Sequence, residues 1–184
     1  VNAPTGSGKT LSVLPPILWK KLNSQKTTKS SLFCIWITPL RSLSKQIQLS
    51  IQDFLSDMCD EFSVEVRNGD TSLKVRARQA KKLPHILITT PESFQLLICS
   101  KGWKKKMEQV DTVVVDEWHE LMGSKRGVQL ELCLSALRFY NSNLKTWGIS
   151  ATIGNLDEAK NVLIGKHLDG SYVKGKLIKS STRK

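Results

Sequence analysis

Ala3-Pro4-Thr5-Gly6-Ser7-Gly8-Lys9-Thr10, almost at the first residue, is the stretch on which the fold of this chain turns. It fits the phosphate-loop pattern that closes in Gly-Lys-[Ser/Thr], with Ala3 standing where the strict pattern has its first glycine. Gly6 and Gly8 carry no Cβ, so the backbone can turn sharply and aim its N–H groups inward at a phosphate. A helix is expected to open near Gly8, its N-terminal amides and dipole adding to that anion site. In such a loop Pro4, Thr5, Gly6, Ser7 and Gly8 form the cradle. Lys9 reaches the outer phosphates as a point charge, and the Thr10 hydroxyl is set to ligate Mg²⁺. Alone, the same residues also fit a Gly/Ser/Thr turn opening an ordinary helix. The second half of the site decides between the two.

That half follows the apolar run Thr112-Val113-Val114-Val115, which reads as a buried strand and is closed by Asp116-Glu117-Trp118-His119. A carboxylate at a strand end is the partner a phosphate loop needs: Asp116 would hold Mg²⁺ together with Thr10. Glu117, one residue on, can polarise an attacking water as general base. Two carboxylates capping the next helix would give the same letters. His119-Glu120 begins H-E-x-x-H, but the fifth position is Gly123, so the zinc helix fails. His119 is instead expected to bridge the nucleotide site to the strand end at Ser150 and Thr152.

Apolar runs alternate with helical periods along the rest of the chain. Strands are expected at 32–37, 63–66, 86–88, 113–115 and 146–149, and helices at 9–22, 43–58, 72–83, 93–100, 128–140 and 155–164. Pro15-Pro16 should kink or shorten the first helix. Trp103-Lys104-Lys105-Lys106 reads as an exposed basic patch, and one further strand is expected at 172–178. The pattern predicts an α/β three-layer domain with a mainly parallel central sheet over 1–165, followed by a basic tail over 166–184. In such sheets ligands sit beyond the carboxyl ends of the strands, where every polar motif of this chain falls.

Composition agrees with a globular domain: 184 residues, 40% hydrophobic and 24% charged. No apolar run approaches the ~20 residues a membrane helix needs. The four cysteines are scattered without a C-x-x-C pair, which argues against zinc or a disulfide framework and for a reducing cytosol. A net charge of +12 favours a polyanionic partner, although cationic surfaces also serve solubility.

Taken in order, the phosphate loop, Thr38-Pro39-Leu40-Arg41, Thr89-Thr90-Pro91-Glu92, Asp116-Glu117-Trp118-His119 and Ser150-Ala151-Thr152 resemble the motifs of the first RecA-like domain of superfamily 2 helicases. The stretches Asp116 to Gln129 and Gly148 to Asn155 look like the Lhr (large helicase-related) group, most of all its bacterial ligase-associated DEXH-box branch. The resemblance implies an ATP-binding P-loop NTPase (RecA-like) lobe of an ATP-dependent helicase. In it, Lys9, Asp116, Glu117 and His119 would be catalytic, Thr10 and Asp116 would hold Mg²⁺, and Ser150 and Thr152 would couple hydrolysis to movement. Pro39, Leu40 and Arg41, the turn Gly69-Asp70-Thr71, and Thr90, Pro91 and Glu92 would line the face that grips a single strand, donors at loop tips holding phosphates without reading bases. DNA is favoured over RNA, with a DNA ligase and a nuclease as possible partners in repair in the bacterial cytosol.

The strand expected before the phosphate loop looks cut to Val1 and Asn2, and a second RecA-like domain with its arginine finger lies outside 1–184. Residues 1–184 alone are therefore expected to bind ATP weakly and to unwind nothing. A transporter ATPase would carry a Leu-Ser-Gly-Gly-Gln-type signature and a small-molecule kinase a lid, and neither is evident. A nucleic-acid-binding module without turnover and an RNA helicase lobe are the other readings.

Overall fold

A computed structural model describes residues 1–2, 8–23, 32–58, 61–151, 153–167 and 169–179. Five strands, β1 (Cys34–Ile37), β2 (Val64–Arg67), β3 (Ile86–Thr89), β4 (Thr112–Val115) and β5 (Lys145–Gly148), form one sheet in the order β2-β3-β1-β4-β5. Every pairing is parallel, with Cys34 level with both Ile86 and Thr112. The helices are α1 (Lys9–Leu22), α2 (Arg41–Met58), α3 (Leu73–Lys81), α4 (Pro91–Ile98), α5 (Trp103–Met107), α6 (Trp118–Leu121), α7 (Lys125–Tyr140) and α8 (Leu156–Ile164).

The period of two along each strand sorts the core into two layers. Cys34, Trp36, Ile86, Ile88 and Val114 face α1 and α2, meeting Val13, Leu14, Ile17, Ile47, Ile51 and Leu55. Ile35, Ile37, Leu87, Val113 and Val115 face the other way, onto Phe94, Leu97, Leu130, Leu134 and Leu137 of α4 and α7. β1, β3 and β4 are buried on both faces, which is why they read as unbroken apolar runs rather than alternating ones. The expected three-layer architecture is present, and its sheet is wholly parallel.

Several local expectations change. α1 runs unbroken through Pro15 and Pro16. The carbonyls these prolines leave unbonded belong to Leu11 and Ser12, which lie with them on the exposed side of the helix, where water can serve the freed oxygens. α7 starts at Lys125 rather than Val128 because Ser124 caps it, its Oγ accepting from the Gly127 N–H at 3.1 Å. The Trp103–Met107 patch is a short helix, with Trp103 half-buried edge-on against Tyr140, ring centroids 5.2 Å apart. No strand forms over 172–178. Only isolated bridges occur there, Lys166 with Tyr172 and Asn2 with Lys179.

Candidate active site and nucleic-acid face

Val1 and Asn2 lie beside the end of β5. Asn2 makes a parallel bridge to Ser150, the Ser150 N–H donates to the Val1 carbonyl at 3.0 Å, and the terminal amine of Val1 donates to the Gly148 carbonyl at 2.6 Å. The chain thus runs alongside the end of β5 before reaching the loop. Pro4, Thr5, Gly6 and Ser7 lie outside the described residues. Gly8 is described, at φ 72°, with no atom within 4 Å of where a Cβ would sit. The loop therefore closes on a left-handed residue beside open space, a conformation that favours glycine.

Lys9 and Thr10 follow in the first turn of α1, Lys9 only 7% exposed. Asp116 is 4% exposed at the end of β4. Its Oδ2 accepts from Trp36 Nε1 at 3.3 Å and its Oδ1 from the Glu117 N–H at 2.9 Å. Burial pushes the Asp116 carboxyl above its ordinary range and the neighbouring Glu117 charge adds to this, while the Trp36 and backbone hydrogen bonds and the Lys9 charge act the other way. Glu117 stands at φ 47°, ψ 46°, the left-handed region, and is the one such non-glycine among the described residues. That strain turns the chain from strand into α6 within one residue. Glu117 Oε2 is buried without a hydrogen bond, 3.4 Å from His119 Nδ1. The same His119 nitrogen lies 3.1 Å from Ser150 Oγ. His119 therefore stands between Glu117 and the end of β5, as expected for Ser150; Thr152 lies outside the described residues.

The oxygens of Thr10, Asp116 and Glu117 are hard ligands suited to a small divalent cation, and Lys9 suits a polyphosphate. A buried carboxyl kept in a costly environment and a second with an unsatisfied buried oxygen both fit a cationic ligand at this edge. ATP with Mg²⁺ meets that description.

The residues expected to grip a strand lie on the other half of the same edge. Arg41 opens α2 after β1, Gly69-Asp70-Thr71 follows β2, and Thr90-Pro91-Glu92 follows β3. Since the sheet order is β2-β3-β1, these three loops are neighbours in space. Arg41 Nη1 reaches Asp70 Oδ1 at 3.2 Å, and its guanidinium lies over Gly69, where an added Cβ would come within 2.5 Å of it. The turn itself is tied by Asn68 N–H to Thr71 Oγ1 at 2.9 Å and by Arg76, which donates to the Thr71 carbonyl at 2.9 Å and the Asn68 carbonyl at 2.8 Å. Leu40, Arg41, Gly69 and Asp70 are exposed, but Pro39, Thr90 and Pro91 are buried. The side chains of those three shape the loops and are not presented to solvent.

Two participants escape a reading of motifs. Trp36 is inside β1, and only the sheet register brings its indole to Asp116. Arg126 donates from Nη2 to the Pro39 carbonyl at 2.7 Å and pairs with both oxygens of Glu92. Burial would raise the Glu92 carboxyl, but the hydrogen bonds and charge of Arg126 hold it below its ordinary range. A lone arginine just after a Ser helix cap was the only signal in the sequence.

Comparison with known proteins agrees with this geometry. The DEAD/DEAH box helicase family profile matches residues 1–159. The ATP-dependent helicase Lhr-Core of Methanothermobacter thermautotrophicus is 37% identical over 176 residues, which is 90% of this chain and 20% of that protein. The Lhr helicase/uracil glycosylase of Escherichia coli is 32% identical over 90% of this chain and 12% of its own length. Among solved structures, Mycobacterium smegmatis helicase Lhr bound to single-stranded DNA and AMP-PNP superposes with a TM-score of 0.78 at 30% identity, over 90% of this chain and 22% of that one. Mss116p bound to single-stranded RNA and AMP-PNP gives 0.76 at 26% identity, over 88% and 32%. The chain spans about a fifth of the length of the first curated relatives it matches. The profile covers most of the sequence, and the Lhr relatives match along nearly all of it: the chain belongs to the DEAD/DEAH box helicase family and is Lhr-like within it.

Proposed function

We propose that this chain is the first ATPase lobe of an ATP-dependent helicase or translocase that moves on a single nucleic-acid strand. One observation carries this: a single sheet edge holds the nucleotide residues on its β4-β5 half and the strand-gripping loops on its β2-β3-β1 half. Lys9 binds the outer phosphates, and Thr10 and Asp116 would hold Mg²⁺, which when bound neutralises charge on the phosphates. Glu117, whose buried Oε2 has no hydrogen bond, takes the proton of the attacking water. His119 orients Glu117 and, through Ser150, links it to the end of β5.

The partner is a single strand, gripped at its phosphates by Arg41 and the loop donors. DNA is favoured over RNA by the DNA-bound Lhr neighbour, whereas the RNA-bound Mss116p shows that the same lobe architecture serves either. A repair setting in the cytosol, with a DNA ligase and a nuclease as partners, is supported by motif resemblance alone.

The test is steady-state ATP hydrolysis by the full-length protein without nucleic acid, with single-stranded DNA and with single-stranded RNA. Stimulation by DNA that disappears in Glu117→Gln, with ATP binding retained, is the expected result. Stimulation by RNA alone would overturn the DNA assignment, and hydrolysis unaffected by Glu117→Gln would remove the assigned base.

A further inference from the structure

We propose that Arg126 is a positioning residue that joins the nucleotide-site turn to the loops of the nucleic-acid face, so that each site feels the other through it. The inference rests on the functional reading above and adds a route through a residue outside both sets. Its first half is the rigid step from Glu117 to Arg126. The strained turn at Glu117 leads directly into α6, four residues long, and Trp118 ties α6 to the end of β5 and to α8: its N–H donates to the Ile149 carbonyl at 2.9 Å and its Nε1 to the Ala159 carbonyl at 3.0 Å. The Leu121 carbonyl that ends α6 accepts from the Ser124 N–H at 3.1 Å and from Ser124 Oγ at 2.6 Å. Ser124 in turn caps α7. Gly127 lies so close to this junction that an added Cβ would come within 2.1 Å of the Leu121 oxygen. The first turn of α7 thus sits against the last residue of α6 with no slack, and a shift at Glu117 must move Arg126.

The second half is what Arg126 holds. Its guanidinium meets the Pro39 carbonyl after β1 and the Glu92 carboxylate after β3. Those strands are sheet neighbours, and a planar cation that bonds both loops at once fixes their separation. Arg41, two residues after Pro39, is an exposed cation of this face, and its placement depends on where Pro39 sits.

The experiment uses the full-length protein with wild type, Arg126→Ala, Arg126→Lys and Glu92→Gln. ATP hydrolysis is measured with and without single-stranded oligonucleotide, and strand affinity with and without AMP-PNP. For Arg126→Ala the expected result is hydrolysis without nucleic acid and KM for ATP close to wild type. Its half-saturating oligonucleotide concentration rises about tenfold, the equivalent of one charge-assisted hydrogen bond, and the effect of AMP-PNP on strand affinity shrinks. Arg126→Lys, which keeps the charge and loses the fork, falls between the two. Unchanged strand affinity and unchanged nucleotide dependence in Arg126→Ala would overturn the inference. So would an equal loss of hydrolysis with and without nucleic acid accompanied by a lower Tm, which marks a merely structural role. A wild-type protein that ignores nucleic acid would overturn the functional reading itself, and with it this one.

Discussion

Gly127→Ala separates two opposite expectations. Gly127 is the third residue of the sixteen-residue helix α7, and replacing a helical glycine by alanine ordinarily stabilises a helix by about 1 kcal/mol. Here the added Cβ would lie 2.1 Å from the Leu121 oxygen and 2.9 Å from the Leu121 carbonyl carbon, both main-chain atoms, and the oxygen accepts from Ser124. The carbonyl must retreat by about an ångström to reach ordinary contact, and it cannot do so without loosening its bonds from Ser124. Overpacking of this kind costs about 1–3 kcal/mol. Added to the two lost Ser124 bonds at about 1 kcal/mol each, it outweighs the propensity gain by about 2–4 kcal/mol. For a domain of this size that is a fall in Tm of about 4–16 °C. The assay is thermal unfolding followed by far-UV circular dichroism, beside Gly154→Ala as a control at a glycine with nothing within 4 Å of a Cβ. A rise in Tm for Gly127→Ala, or no change, would refute the claim that α6 and α7 are in hard contact.

Trp36→Phe should raise the Asp116 carboxyl further, because the indole hydrogen bond is what most opposes its burial. A carboxyl raised in the folded state ionises at higher pH than in the unfolded chain, so the stability it contributes falls as pH rises through that interval, while the ionised, functional form is gained. The acid limb of kcat/KM for ATP, which reports the protein before nucleotide and metal bind, should therefore shift higher in Trp36→Phe than in the wild type; an unmoved limb would count against Asp116 as the group titrating there. Burial pushes the Cys34 thiol up to about 12 and the Cys133 thiol up to about 11, whereas Cys99 is exposed. Brief alkylation of the native protein at pH 8, read by mass spectrometry, should label Cys99 and spare both buried thiols until denaturant is added.

β1, β3 and β4 were legible because each is a short apolar run, and they read that way for the physical reason that they are covered on both faces. Boundaries were less so. The Ser124 cap moved the start of α7 forward, and solvent on the outer side of α1 let Pro15 and Pro16 stay within one helix. The stretch 172–178 has β-forming residues yet pairs only at isolated bridges, because strand formation needs a neighbouring edge that local sequence does not specify.

By itself the sequence determined the chemistry: a Gly-Lys-Thr loop, a strand-end Asp-Glu, a histidine beside them and cationic loop tips, since those properties belong to residue types and short spacings. Tertiary structure alone decided which strand ends stand side by side along the sheet edge, because strand order β2-β3-β1-β4-β5 is a property of long-range pairing. It also decided which motif residues face outward, turning Pro39, Thr90 and Pro91 inward and leaving Arg41 and Asp70 in solvent. Trp36 and Arg126 gained their places for the same reason: their partners lie 80 and 34 or more residues away, brought within hydrogen-bond reach only when the sheet and its helices pack.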